Sequence, residues 1–203
     1  NGLIISVRKI NDFIVTLGML SIAAGTALVL SNGRPVQIIN SGLANVAINE
    51  KFGVPYLMYI AFAIVLFSHF LLFHTRFGVH LLAVGGDPDS ARAMGVSIVK
   101  IKVAVYGISG LLAGFAATLA IARIGAAEPA ANTAILLNSV AAVVLGGVSL
   151  FGGRATIFGP FVATLLLQAL SNGLTIIGVA SYYQYISVGI VVILSASLVR
   201  NVR

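Results

Sequence analysis

The chain of 203 residues is 59% hydrophobic and only 8% charged, with a net charge of +7 and no cysteine. Soluble domains carry roughly 25% charged residues, so these few charges cannot cover a water-facing surface, and most of the surface must face lipid. Without cysteine, these 203 residues can form neither disulfides nor cysteine-ligated metal sites. The twelve Lys and Arg residues lie in small groups between apolar runs, which argues against the basic face of a nucleic-acid-binding protein.

Six apolar runs follow one another along the chain, at residues 13–30, 54–73, 103–122, 135–151, 155–178 and 179–199. A helix needs about 20 apolar residues to cross the ~30 Å hydrocarbon core of a bilayer. The runs are too long for strands and lack a period of two, so they predict helices. The fourth run is short and ends among glycines at 146–153, so it either crosses the membrane or re-enters as a half-helix. The prediction is an all-α polytopic transmembrane bundle, with one transmembrane domain over 1–203.

The basic residues of the connections predict the orientation of these runs, because cytoplasmic connections are enriched in Lys and Arg. With six crossings and both ends inside, nine basic residues lie inside and three outside. The inside set is Arg8, Lys9, Arg76, Arg92, Lys100, Lys102, Arg154, Arg200 and Arg203. The outside set is Arg34, Lys51 and Arg123. The connection at 74–102 is therefore expected to be cytoplasmic.

Start and stop signals enclose a short helix within this connection. Asp87 is a good N-cap, because its carboxylate can accept hydrogen bonds from the free backbone N–H groups of the first turn. Pro88 suits the first helical position, and Asp89 complements the positive end of the helix dipole. Gly95 can end the helix in a left-handed conformation, which predicts a helix at 88–94. So short a helix must be held against the protein's own bundle or against a soluble partner.

A stripe of uncharged polar residues marks the fifth run. It consists of Thr164, Gln168, Asn172 and Thr175. Steps of four, four and three place these residues on one helical face. Polar side chains in the hydrocarbon region face a cavity or another helix, so the stripe is either a solute pathway or a set of interhelical hydrogen bonds. Asn138 and Ser139 in the fourth run are weaker candidates of the same kind.

No constellation in the sequence indicates covalent chemistry, and neither a cofactor nor a metal ion is expected. Gly147 and Gly152 have the spacing of P-loop glycines, but Gly153 stands where the phosphate-binding Lys is required. The three histidines lack a nearby further ligand that would complete a metal site. The chain is therefore not expected to be an enzyme, and any ATP must be hydrolysed by another polypeptide.

Several motifs resemble those of ABC-type sugar permeases of the ribose, xylose and galactose family. Residues 83–96, with Gly85-Gly86 before the capped helix, look like the family's cytoplasmic coupling loop. Residues 142–153 are similar to its glycine-rich signature, and residues 172–174 and 181–184 to its C-terminal region. The likeness covers nearly the whole chain. Family members are longer and begin with further helices, so the chain is expected to be their C-terminal two-thirds.

The resemblance implies a pore-forming subunit of an importer in the bacterial inner membrane. Such permeases pair as homodimers or with a sister permease, bind two cytoplasmic ATPase subunits, and receive sugar from an extracytoplasmic solute-binding protein. The resemblance assigns ATPase coupling to Asp87, Pro88, Asp89, Ala91, Arg92, Met94 and Gly95. The expected cargo is a small neutral solute, with a monosaccharide as the first candidate.

Two points stay open at this stage. Arg123 and Glu128 lie in an outside connection, where charges can steer a binding protein or pair with each other in solvent. A secondary transporter or a channel for a small polar solute is the alternative function. A secondary transporter usually keeps ionisable groups within its spans, and the runs hold only His69, near the end of one run.

Overall fold

The computed structural model describes residues 1–8, 10–37, 42, 45, 47, 49–129, 133–149, 152–180, 182–184, 186–187 and 189–191, without the side chains of 133 and 134. The chain divides into two compact units. One comprises Asn1–Ile64 with Ala91–Ala131, and the other comprises Val65–Ser90 with Asn132–Arg203.

Helices dominate the described residues. They are α1 (Gly2–Arg8), α2 (Asp12–Ser31), α3 (Tyr56–Phe73), α4 (Arg76–Gly86), α5 (Pro88–Ala93), α6 (Ile98–Ile124), α7 (Thr133–Leu145) and α8 (Phe158–Ile176). Two short antiparallel pairs accompany them. Strand β1 (Val36–Gln37) pairs with β4 (Ala126–Ala127), and β2 (Glu50–Lys51) pairs with β3 (Val54–Pro55).

Four of these helices, α2, α3, α6 and α8, are long and apolar enough to cross a membrane. They confirm the helices predicted from the first, second, third and fifth runs. The fourth run contributes residues 135–145 to α7, whose 13 residues span about 20 Å at 1.5 Å per residue, less than a hydrocarbon core. In the sixth run, residues 182–184, 186–187 and 189–191 are helical, whereas 192–199 lie outside the described residues.

Contacts at both ends of α2 and α6 fix the direction of these two helices within the first unit. Lys102 Nζ lies 3.1 Å from a carboxylate oxygen of Asp12, near the start of each helix. Beyond the other ends, Val36 of β1 is registered with Ala127 of β4. The two helices therefore run in the same direction, as the predicted topology requires. At the start of α6, α1 packs so closely that a Cβ on Gly2 would lie 3.0 Å from Val103 Cα.

The connection at 74–102 contains more helix than the sequence analysis predicted. Thr75 begins α4, where its hydroxyl oxygen accepts a hydrogen bond from Gly78 N–H at 3.3 Å. A Ser or Thr before an amphipathic stretch is the usual signal for such a start, and it was overlooked. Helix α6 also begins earlier than predicted, so Lys100 and Lys102 are helical, and their long side chains can reach the interface from there.

Small side chains hold α7 against α8 in the second unit. The buried cluster consists of Ala141 and Ala142 of α7 and Ala163 and Leu167 of α8, each at most 5% exposed. At the end of α7, the backbone of Gly146 lies directly against the backbones of Gly159 and Pro160. The hydrophobic effect does not drive helices together in lipid. Close approach of the backbones through small residues is therefore a main source of the packing energy.

Candidate functional site

Helix α5 begins with the predicted N-cap. Asp87 Oδ1 accepts hydrogen bonds from the backbone N–H groups of Asp89 at 3.0 Å and Ser90 at 3.3 Å. The Ser90 hydroxyl donates to Asp87 Oδ2. Because these bonds favour the charged carboxylate, they lower the pKa of Asp87, with the Ser90 hydroxyl as the largest cause. The cap is therefore fully formed at neutral pH.

The end of α5 is also fixed by local hydrogen bonds. Gly95 has φ +81°, and its N–H donates to Arg92 O at 2.9 Å. The N–H of Val96 donates to Ala91 O at 3.0 Å, which completes a Schellman motif. The helix therefore ends at Ala93, one residue earlier than predicted, because Met94 lies in the turn.

The side chains of α5 divide into a buried and an exposed set. Ala91 is 1% exposed, whereas Met94 is 71% exposed. Asp89 and Arg92 are exposed as well. The helix and the turn that follows it thus present a negative, a positive and an apolar side chain on a backbone fixed at both ends.

A cleft of about 220 Å³ lies between α7 and α8. Its lining consists of Ile135, Asn138 and Ser139 from α7 and Thr164, Leu167, Gln168 and Ser171 from α8. The structure thus brings four predicted pathway residues together: Asn138, Ser139, Thr164 and Gln168. Ser171 was overlooked, although it follows Gln168 by three positions and so lies on the same helical face.

Asn172 and Thr175, the other two predicted pathway residues, do not line the cleft. Asn172 Oδ1 accepts a hydrogen bond from Gln168 Nε2 at 3.3 Å. Thr175 Oγ1 accepts one from Gln184 Nε2 at 3.0 Å. Thr175 is thus bonded to a residue outside α8, whereas the bond of Asn172 lies within α8. Asn172 orients the amide of Gln168, which does line the cleft.

The cleft has the chemistry of a site for an uncharged polar molecule. The hydroxyls of Ser139 and Thr164 donate to Ile135 O at 2.7 Å and Pro160 O at 2.8 Å, so their oxygens keep lone pairs that can accept from a ligand. Amides at Asn138 and Gln168 can both donate and accept. The volume corresponds to about seven water molecules at their share of the liquid, and no described lining residue carries a charge.

Arg123 and Glu128 do not pair with each other in the described part of the chain. Arg123 lies in the last turn of α6, where its cation complements the negative end of the helix dipole. Glu128 follows β4, and both side chains are exposed. Both charges therefore lie on the surface of the described residues.

The histidines do not converge on a metal site. Among the residues that the structure describes, no three His, Asp or Glu side chains are placed to hold a metal ion. Instead, the ring of His69 packs 4.8 Å from that of Phe73 and 4.9 Å from that of Phe158, measured between centroids.

Comparisons with known proteins agree on one family. Residues 1–196 match the family described as branched-chain amino acid transport system / permease component. The ribose import permease protein of Escherichia coli K12 is 41% identical over 98% of the chain, and that of Bacillus subtilis is 36% identical over 99%. The L-arabinose ABC transporter permease protein of Azospirillum brasilense is 33% identical over 96%.

These alignments cover 63%, 63% and 58% of the relatives' own lengths, so the chain spans somewhat less than two thirds of each. No solved structure matches the chain. The family match nevertheless extends over every helix described above, over the Gly85-Gly86 pair and over the glycine-rich residues 142–153. The chain belongs to the family of branched-chain amino acid transport system permease components.

Proposed function

We propose that the complete protein is the membrane-spanning permease subunit of an ABC importer and that it passes a neutral monosaccharide across the bacterial inner membrane. The cleft between α7 and α8 carries this proposal. Its amide and hydroxyl groups match the hydroxyls of a sugar, and its lining is uncharged. The relatives include ribose and L-arabinose permeases, which supports the same cargo.

An amino acid is the second candidate, because the family description names branched-chain amino acids. A zwitterion carries two charges, and burying a charge without a partner is costly. Asn138, Thr164 and Gln168 offer hydrogen bonds but no counter-charge. The chemistry of the cleft therefore favours a neutral sugar over an amino acid.

Helix α5 is proposed as the point where a cytoplasmic ATPase subunit docks. A helix of six residues is too short to persist alone, yet caps fix α5 at both ends. The exposed Asp89, Arg92 and Met94 then form a small surface of fixed shape. Such a surface can pass a movement to the rest of the chain instead of absorbing it.

The proposal also includes the partners and the orientation. The permease would pair with a second permease subunit, with lipid around both, and Arg123 and Glu128 would meet the extracytoplasmic solute-binding protein.

The positive-inside bias supports a cytoplasmic connection at 74–102. In sealed membranes, cysteine at position 94 (Met94→Cys) should react only with reagent on the cytoplasmic side. Met94 is preferable to Ser90, whose hydroxyl belongs to the cap. Labelling from outside would reverse the topology.

The decisive experiment reconstitutes the complete permease with its ATPase and binding protein in vesicles. Labelled ribose and L-arabinose are offered with and without ATP, and leucine serves as the comparison. Uptake of a sugar that needs both ATP and the binding protein is the expected result. Uptake of leucine alone would assign the amino acid instead. Sugar uptake without ATP or a partner would support the secondary transporter or the channel.

A further inference from the structure

The two glycine-rich motifs of the second unit meet each other, backbone against backbone. A Cβ on Gly152 would overlap the carbonyl oxygen of Gly85. A Cβ on Gly153 would lie 3.1 Å from Gly86 Cα, and one on Gly85 would lie 3.3 Å from Gly153 N. Gly152 also has φ +91°, a conformation that L side chains rarely adopt. A side chain at Gly152 would therefore displace one of the two chain segments, whereas one at Gly85 or Gly153 would require its neighbour to give way slightly.

We propose that this contact, the glycine junction formed by Gly85, Gly86, Gly152 and Gly153, passes the displacement of α5 to the solute cleft. The inference rests on the proposed function and names the route by which the two candidate sites are coupled. This route requires that one side of the junction be firmly connected to α5 and the other side to the cleft. The structure contains both connections.

On the α5 side, a single residue joins two helices. The N–H of Asp87 donates to Ala83 O at 3.0 Å and continues the hydrogen bonds of α4. The carboxylate of the same residue caps α5. Gly85 and Gly86 are the last two residues of α4, so the start of α5 cannot move far without moving them.

On the cleft side, the junction belongs to the connection between α7 and α8. Gly152 N–H donates to Ser149 O at 3.2 Å, and Ser149 N–H donates to Arg154 O at 3.2 Å, so the described residues on the two sides of positions 150 and 151 are hydrogen-bonded to each other. The two ends of the connection are brought together where Gly146 lies against Gly159 and Pro160. A movement of the connection is therefore delivered to the ends of the two helices that line the cleft.

The test compares two glycines of the same loop that share a left-handed backbone but differ in surroundings. Gly152→Ala places a methyl group in the junction. Gly147→Ala has a similar φ of +78° but open space around the new carbon, so it controls for backbone strain. The complete permease is assembled with its ATPase and binding protein, and solute-stimulated ATP hydrolysis, uptake and co-purification of the ATPase are measured.

In Gly152→Ala we expect stimulated hydrolysis and uptake to fall about tenfold below Gly147→Ala, on the scale of a steric misfit in a packed contact. The ATPase should still co-purify with both variants, because the surface of α5 is unchanged. Equal stimulation in the two variants would overturn the inference. The wild-type complex separately tests the proposed function, since sugar-dependent hydrolysis there does not depend on the junction variants.

A second variant covers the case in which Gly152→Ala does not accumulate in membranes. Gly85→Val approaches the junction from the other side, on a helical backbone that accepts a side chain. We expect normal insertion, normal co-purification and a similar loss of stimulated hydrolysis. Wild-type stimulation in Gly85→Val would show that the two segments need not stay in contact, and the inference would fail.

Discussion

Helix α5 and the cleft between α7 and α8 are both polar features in an apolar chain, and they are built in opposite ways. The hydrogen bonds that cap α5 at its two ends join residues between Asp87 and Val96. The cleft depends on side chains from two helices separated by the glycine-rich connection. One site is thus encoded by neighbours in sequence and the other by tertiary packing. Substitutions in α5 and in the cleft should therefore differ in how far their structural effect extends and in how large that effect is.

The largest effect is expected where α7 and α8 touch. Ala163 is 2% exposed, so Ala163→Leu forces three extra carbons into a closed contact, which typically costs about 1–3 kcal/mol. The helices should separate, the cleft should lose its shape, and sugar uptake should be abolished. Thermal unfolding of the purified permease measures the loss directly.

The control for this substitution is Val162→Leu, because Val162 is 58% exposed on the same helix. It should unfold at the wild-type temperature. If Ala163→Leu also unfolded there and retained uptake, α7 and α8 would not define the cleft in the complete protein.

An intermediate effect is expected within the cleft. Gln168→Leu keeps most of the side-chain volume but removes the amide, which lines the cleft and donates to Asn172. A lost hydrogen bond to the solute should raise the half-saturating sugar concentration by about tenfold, equivalent to roughly 1.4 kcal/mol. Uptake at a series of sugar concentrations measures it.

Leu165→Met on the exposed side of α8 should leave both affinity and rate unchanged. If Gln168→Leu behaves like Leu165→Met, the polar stripe stabilises helix packing instead of binding solute. That is the alternative of interhelical hydrogen bonds that the sequence left open.

The smallest effect is expected at the cap of α5. Asp87→Ala removes both acceptors of the first turn and should destabilise that helix by about 0.5–2 kcal/mol. Asn is also a good N-cap, so Asp87→Asn should retain most of the coupling. Solute-stimulated ATP hydrolysis of the reconstituted complex is expected to fall in Asp87→Ala only. Identical stimulation in the wild type and both variants would leave α5 as a solvated turn.

The pH dependence of the cap follows from the lowered pKa of Asp87. The stabilisation is fully present above the ordinary carboxyl value of 3.8 and is lost only as the pH falls through the lower folded-state value. Between pH 6 and 8, the difference between wild type and Asp87→Ala should therefore be constant. A difference that changed across this range would require another titrating group.

Features that depend on neighbouring residues could be predicted from the sequence more closely than features that depend on distant ones. The cap and the left-handed end of α5 were predicted to within one residue, because Asp87 and Gly95 act on backbone groups only a few positions away. The early start of α6 at Ile98 was not predicted, because charged Lys100 and Lys102 had been assigned to a connection. In the structure, Lys102 is accommodated by its ion pair with Asp12, ninety positions away in the sequence.

The sequence alone determined the apolar helices and their distribution of charge, because helix formation and lipid exposure depend on composition within a single run. Only the tertiary structure decided which of the polar residues face a common space. It joined Asn138 to Thr164 and Gln168, and it set Asn172 and Thr175 aside as hydrogen-bonding supports. It also brought Gly152 against Gly85. A contact between backbone segments that are distant in the sequence produces no periodic sequence pattern and no local hydrogen bond from which it could be predicted. It forms only when the helices on either side have packed.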